Sequence, residues 1–327
     1  MSSALDVLAV GNAIVDVVST ADEAFLNRYN LAKGTMTLVD ERTADFLYAA
    51  MGPGREVSGG SAANTAAGVA SFGGRAGFVG KVRDDDLGRI FRHDIRAAGV
   101  TFDTPAASDG PSTARCLIFV TPDAQRTMQT YLGACVRLSP ADVDRAAIES
   151  AEILYLEGYL FDPPQAQQAF REASEIAQMS GRKVALTLSD PFCVARHRSA
   201  FLDLVERYVD VLFANEAEIT SLYETADFDA ALQHVRRHCP TAALTRSEKG
   251  SVVVSGEEVH VIDAAPANVV DTTGAGDLYA AGFLYGFTQG KGLATCARLG
   301  SLAAAEVIGH FGARPERRLA ELARGVP

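Results

Sequence analysis

Seven residues, Asp271-Thr272-Thr273-Gly274-Ala275-Gly276-Asp277, have types and spacing that could transfer a charged group. Thr272 and Thr273 can hydrogen-bond local backbone and set a turn. Gly274, Ala275 and Gly276 leave their N–H groups uncovered, and the apolar run LYAAGFLYGF (278–287) follows directly. A helix starting near Gly276 would aim those donors and its positive dipole end at one point. That point suits charge developing on a transferring phosphoryl group. Asp277 would stand in the first turn, ready to accept a proton from an attacking hydroxyl, and the dipole would favour its ionised form. An ordinary helix entry with a dipole-favoured aspartate accounts for the same stretch equally well.

A second glycine-rich helix entry is SGGSAANTAAGVASFGG (58–74). Gly59 and Gly60 allow close backbone approach to a ligand, and Ser61 can cap. The alanines make a thin, closely packing helix. The Asn64 amide both donates and accepts, so it could bridge neighbouring hydroxyls of a sugar; a solvent-facing Asn is the alternative. Asp16, charged within an apolar strand, could accept from two vicinal hydroxyls or simply face outward. NEAE (215–218) follows the apolar run VDVLF. Asn215 and Glu218 could there reach a hydrated Mg²⁺ or a phosphate, although a helix cap with its capping-box Glu explains the pair fully. Arg126 is either a site residue or an exposed surface arginine.

Other chemistries lack their residues. There is no G-x-x-x-x-G-K-[ST] loop, G-x-S-x-G elbow, H-E-x-x-H, H-R-D or D-F-G. Gly274-Ala275-Gly276 begins like a dinucleotide fingerprint, but Tyr279 stands at its third position and no first βαβ unit contains it.

The elements that must position these residues alternate. VLAV (7–10), ILYL (153–156), VALTL (184–188), VDVLF (209–213), AALT (242–245) and VVV (252–254) read as buried strands. Amphipathic helices fall between most of them. Over 162–180, Asp162 can cap, Pro163 can occupy the first turn and Gly181 can end the helix. Over 86–98, Gly99 is the stop. The alternation predicts an α/β fold with a mostly parallel sheet covered by helices. AIVDVVS (13–19) and TMTLVD (35–40) read as strands with no long helix between them. TARCLIFV (113–120) and RTMQTYL (126–132) read as a hairpin around TPDAQ. These extra strands could form a small lid sheet, or antiparallel strands with no role in closure. A single domain over 1–327 is expected, with lid strands from about 12–19, 35–40, 113–120 and 126–132.

The 327 residues are 48% hydrophobic and 22% charged, with net charge −11, as in a soluble globular protein. That charge argues against nucleic acid and anionic membranes as partners. Five scattered cysteines without C-x-x-C argue against a disulfide framework or zinc site, and fit reduced thiols in the cytoplasm. The N-terminus lacks a signal-peptide pattern, and no apolar run approaches the ~20 residues of a membrane span.

Together, GNAIVD, the block SGGSAANTAAGVASFGGRAGFVGKVRDDDLG (58–88), NEAE and NVVDTTGAGDLYAAGF (268–283) resemble the ribokinase-like, or phosphofructokinase-B, family of carbohydrate and nucleoside kinases. The resemblance is nearly chain-long, from VLAVGNAIVD (7–16) to HFGARP (310–315). It implies that Asp277 is the catalytic base and Gly274, Ala275 and Gly276 the anion hole. It implies that Asn215 and Glu218 organise Mg²⁺ and ATP, and that Asp16, Gly59, Gly60 and Asn64 bind sugar. Thr245 and Gly250 match the family's ATP loop, T-x-G-x-x-G, but Ser247 replaces a glycine. Some members hold a monovalent cation such as K⁺ beside the anion hole, in which Asp271 and Thr273 could take part here.

GNAIVD, YNLAKGTMTLVDE (29–41) and RTMQTYLGA (126–134) look most like the adenosine kinase branch. There the arginine matching Arg126 meets nucleotide phosphates from the lid. A nucleobase needs apolar walls, for which Ile14, Leu38, Met128, Tyr159 and Phe161 are candidates, as they are for plain core or lid packing. The implied reaction is ATP-dependent phosphorylation of a primary hydroxyl, adenosine first, with ribose, fructose or a sugar acid as the alternative. A non-catalytic ligand sensor is a third reading. A monomer or homodimer is expected.

Overall fold

The computed structural model describes residues 4–123 and 125–326. Ala124, in the TPDAQ turn, lies outside the described residues, as do residues 1–3 of the N-terminal segment. The strands are β1 Leu5–Val10, β2 Ile14–Thr20, β3 Met36–Leu38, β4 Arg55–Gly59, β5 Ala76–Val79, β6 Val100–Thr101, β7 Ala114–Val120, β8 Arg126–Tyr131, β9 Ala151–Glu157, β10 Lys183–Thr187, β11 Val211–Asn215, β12 Thr241–Thr245, β13 Ser251–Ser255 and β14 Glu258–Ile262. The helices are α1 Glu23–Arg28, α2 Glu41–Ala50, α3 Ser61–Ser71, α4 Asp86–Ala97, α5 Arg145–Ser150, α6 Pro164–Met179, α7 Pro191–Arg207, α8 Glu216–Leu222, α9 Phe228–His238, α10 Ala275–Thr288, α11 Leu293–Val307 and α12 Leu319–Leu322.

Strands flanked by helices on both faces must bury both sets of side chains, which is why their sequences are nearly continuous apolar runs. The 9-stranded sheet has the order β14-β13-β12-β11-β10-β9-β1-β5-β6. It is parallel from β12 to β6 and antiparallel at β13 and β14. Val7, Ala9, Ile153, Tyr155 and Ala185 join one core with α3, α4, α10 and α11. Leu8, Val10, Leu154, Leu156 and Leu186 join the other with α5 to α9. β11 begins at Val211 rather than 209, because the Asp210 carboxylate turns to accept from Val184 N at 2.9 Å. Register sets Glu157 beside Thr187 and Asn215 beside Thr245, so the carboxyl ends of these strands form one edge. Ligands collect at that edge in parallel sheets.

The 5-stranded sheet has the order β3-β8-β7-β2-β4. Its strands include the four expected segments and β4, which the sequence reading did not name. REVSG has one apolar residue, Val57, and becomes a strand by pairing antiparallel with β2. Residues paired across neighbouring strands share a face. Ile14 and Asp16 on β2 are two apart and share one. Asp16 pairs with Cys116, Cys116 with Thr130, and Thr130 with Leu38, so Leu38 and Met128 lie there too, with Arg126. Val15, Val17, Leu117 and Phe119 occupy the opposite face, and Phe119 meets Phe25 of α1 at 5.0 Å.

The helix expected over 162–180 starts later. Pro163 is the residue before α6 and no side chain caps it, while Asp162 pairs with Arg196 and with His197 Nε2 at 2.7 Å. Gly181, at φ 67°, ends it as expected. All five cysteines are free and buried. Among the described residues, no helix is long and apolar enough to cross a membrane.

Candidate active site

α10 begins one residue before the expected point. Gly274 precedes it in the left-handed region, φ 79°, where glycine is favoured. A Cβ there would also come 2.8 Å from Ala313 Cα, so contact and conformation both require glycine. The first helical bond runs from Leu278 N to Gly274 O. Ala275 N turns back to Thr272 O at 3.3 Å, which removes one of the three expected donors. Gly276 and Asp277 keep first-turn N–H groups that the helical ladder does not use, and Gly276 is exposed.

Asp277 is half-buried in the first turn of α10. Ser61 Oγ donates to its Oδ1 at 2.6 Å and Asn64 Nδ2 to its Oδ2 at 2.9 Å. Ser61 is therefore not a cap: Gly60, φ 96°, precedes α3, and Ser61 holds the carboxylate of another helix. Burial raises the proton affinity of Asp277 above the ordinary carboxylate range, against the opposing effects of Ser61, Asn64 and Arg314. The dipole alone had suggested the reverse, so desolvation outweighs it here. Asn64 is buried rather than solvent-facing, and its Oδ1 has no hydrogen-bond partner among the described residues.

Asp16 does not face outward to solvent. It is half-buried, and burial pushes its carboxyl up to about 6 against the lowering effects of Arg126 and Arg314. Gly59 lies directly against it: a Cβ on Gly59 would come 2.3 Å from Asp16 Oδ2. A Cβ on Gly60 would come 2.1 Å from Asn12 O. Both glycines thus serve close backbone packing around the site.

Arg126 is not a surface arginine. Its Nη1 donates to Asp271 Oδ2 and to Thr273 Oγ1, the latter at 2.6 Å. Asp271 also accepts from Thr273 N and Oγ1 at 3.0 and 2.8 Å, and from Gly312 N at 3.0 Å. The guanidinium therefore places a positive charge beside Asp271 and Thr273.

Asn215 and Glu218 form the complete capping box. Asn215 Oδ1 accepts from Glu218 N at 2.9 Å, while Asn215 N and Nδ2 donate to the Glu218 carboxylate at 3.0 and 2.6 Å. Burial pushes Glu218 up to about 7. Both carboxylate oxygens are engaged, and among the described residues no group of three or more His, Cys, Asp or Glu could hold a metal ion. The pair fits contact with a hydrated ion through its water, not a direct ligand set. Beside it, Thr245 ends β12 and Gly250 turns back at φ 80°. Ser247 adopts φ 51°, a left-handed conformation that explains why glycine is the usual residue there.

Of the apolar candidates, Ile14, Leu38 and Met128 share the face of the small sheet that carries Asp16 and Arg126. Tyr159 is 43% exposed, and the charges of Asp277 and Glu218 act on it. Phe161 is core, stacked on Phe201 at 4.2 Å, and is no wall.

Sequence reasoning missed Glu157 and Asn12. Glu157 is fully buried at the end of β9 and accepts from Ala62 N at 2.7 Å and Asn12 Nδ2 at 2.7 Å. Burial pushes it up to about 7, against those hydrogen bonds. One signal was available: a glutamate closing an apolar strand at the ligand edge of the sheet.

The model of the pfkB family of carbohydrate kinases matches residues 49–318. The chain superposes on a solved adenosine kinase from Sinorhizobium meliloti with a TM-score of 0.90 and 55% identity, covering 98% of each chain. It superposes on a solved probable sugar kinase from Rhizobium etli CFN 42 with a TM-score of 0.92 and 50% identity, again covering 98% of each. An adenosine kinase of Saccharomyces cerevisiae is 27% identical over 93% of this chain and 95% of its own length. The chain belongs to the pfkB family of carbohydrate kinases, and is accordingly an ATP-dependent kinase with the family's mixed α/β fold.

Proposed function

We propose that this kinase transfers the γ-phosphoryl group of ATP to the 5′-hydroxyl of a nucleoside, adenosine first. The observation that carries this reading is the meeting of two helix starts at Asp277. Ser61 and Asn64 of α3 hold the carboxylate, and the open first turn of α10 lies beside it. Asp277 takes the proton as the hydroxyl attacks; its raised proton affinity brings it closer to the operating pH, where a base works best. The Gly276 and Asp277 N–H groups meet the charge that spreads over the phosphoryl oxygens. Mg²⁺, when bound with ATP, neutralises phosphate charge, and Asn215 and Glu218 orient its water. Thr245 and Gly250 border the nucleotide.

Asp16 accepts the two vicinal hydroxyls of the acceptor's ribose, with Gly59, Gly60 and Asn64 completing that pocket. The small sheet acts as a lid. Its face offers Ile14, Leu38 and Met128 as the apolar wall a nucleobase needs, which favours a nucleoside over a free sugar. The 55% identity to an adenosine kinase supports the same choice. Phosphorylation of a sugar is the second reading, favoured by the 50% identity to a probable sugar kinase. ADP release measured in parallel with adenosine, inosine, guanosine, ribose and fructose decides between them. Adenosine is expected to give the highest kcat/KM. Faster turnover of ribose or fructose overturns the nucleoside reading, and no turnover with any acceptor overturns the proposed reaction on this panel.

A further inference from the structure

The segment Gly312-Ala313-Arg314 runs from the Asp271–Gly274 turn to the end of β4. Gly312 N bonds Asp271, and Ala313 packs on Gly274. Arg314 Nη2 donates to Ser58 O at 2.9 Å and to Ser58 Oγ at 3.1 Å. Ser58 is held from its other side by Asp94 of α4, whose Oδ2 accepts from Ser58 N at 2.7 Å and Oγ at 2.6 Å. Three residues further on, Ser61 bonds Asp277, and between them Gly59 lies against Asp16. The Ser58–Ser61 corner therefore spans the distance between the two carboxylates.

Arg314 is costly where it stands. Its Nε and Nη1 are buried with no hydrogen-bond partner among the described residues. Burial pushes its guanidinium down to about 10, against the charges of Asp94, Asp16 and Asp277. An apolar side chain of similar length would avoid that desolvation. What such a side chain could not do is grip a carbonyl and a hydroxyl together while facing three carboxylates.

We propose that Arg314 is a positioning residue: it clamps the Ser58–Ser61 corner to the segment beneath the anion hole, and supplies a positive charge shared by Asp16 and Asp277. It thereby sets the spacing of the acceptor-binding carboxylate from the base. This rests on the kinase reading for its catalytic consequence, but the clamp itself can be tested without it.

The test compares full-length wild type, Arg314→Met and Arg314→Lys by steady-state kinetics with adenosine and ATP, and by amide hydrogen exchange over residues 55–61. In Arg314→Met, kcat/KM for adenosine is expected to fall about 10- to 100-fold, the worth of a charge-assisted hydrogen bond, with the KM for ATP unchanged. Exchange over 55–61 is expected to rise, and Lys to recover part of both losses. The acid limb of kcat/KM for adenosine should also move to higher pH. Asp16 faces Arg126 from β8, Arg314, Asp277 from α10 and Cys116 from β7, so loss of Arg314 leaves Arg126 as its one facing cation among these. A purely structural role would leave that limb in place, and an unmoved limb overturns the charge role. Unchanged exchange overturns the clamp, whatever the activity. If the Met variant does not fold, wild-type constants and exchange in Arg314→Lys overturn the proposal. If wild type phosphorylates no acceptor, the kinase reading falls and the exchange result still decides the clamp.

Discussion

The two helix starts that meet at Asp277 use the same local device and end in opposite states. Both α3 and α10 are preceded by a glycine at positive φ, 96° at Gly60 and 79° at Gly274, and neither has a side-chain cap. At α3 the first-turn amide of Ala62 is already taken by the buried carboxylate of Glu157. At α10 the amides of Gly276 and Asp277 are left over by the helical ladder, and Gly276 is exposed. A helix start attracts an anion in either case. One start is occupied by a resident carboxyl group, so its donor is already satisfied while Ser61 and Asn64 hold the base. The other has none built in, so it is free for an anion that arrives and leaves. The difference separates scaffold from chemistry in two stretches of nearly the same composition.

The sharpest way to break this comparison is Asp277→Asn. General-base help is worth about 10²–10⁴-fold, so kcat should fall by that factor while the fold and adenosine binding persist. Single-turnover kinetics with isothermal titration checks both, and near-normal turnover would falsify the role of Asp277.

Next in size is Glu157→Ala, which empties the filled helix start. It leaves the Ala62 and Asn12 donors buried and unpaired, and should cost about 2–4 kcal/mol in urea unfolding. The pH dependence gives its sign. The folded-state value, about 7, lies above the ordinary 4.5. The stability contributed by this group's protonation is therefore fully present below about 4.5 and is lost as pH rises through about 7. The gap between wild type and variant should shrink across that window; a gap that widens would contradict the burial argument.

The smallest effect concerns a third position of positive φ. Ser247, at φ 51°, carries a side chain at a positive φ, where Gly60 and Gly274 have glycine. Ser247→Gly should relieve strain of about 1 kcal/mol and change the KM for ATP little. A large loss of ATP affinity would mean that the Ser247 side chain itself contacts the nucleotide.

Much of the large sheet was legible. VLAV, ILYL, VALTL, AALT and VVV are strands because runs buried on both faces must be apolar throughout. The stops at Gly99 and Gly181 were legible because a left-handed residue after a helix favours glycine. β4 was not, since its pairing with β2 supplies what its own residues lack. Asp277, Gly274, Gly59 and Gly60 were legible as parts of two glycine-led helix entries, which the fold brings together. Asp162 was misread as a cap because its partners on α7 are distant in sequence.

The sequence by itself determined the alternation of strand and helix, the two glycine-led helix starts and the presence of a carboxylate in the first turn of α10. These are local matters of backbone conformation and periodic burial. Only the tertiary structure decided which charges meet. Glu157 fills α3 across a separation of 95 residues, Arg126 reaches Asp271 across 145, and Arg314 reaches Ser58 across 256. A charge in a chain shows its sign but not its partner. Partners are chosen by desolvation, because a buried charge must find its counter-charge or hydrogen bonds wherever the packed chain happens to place them.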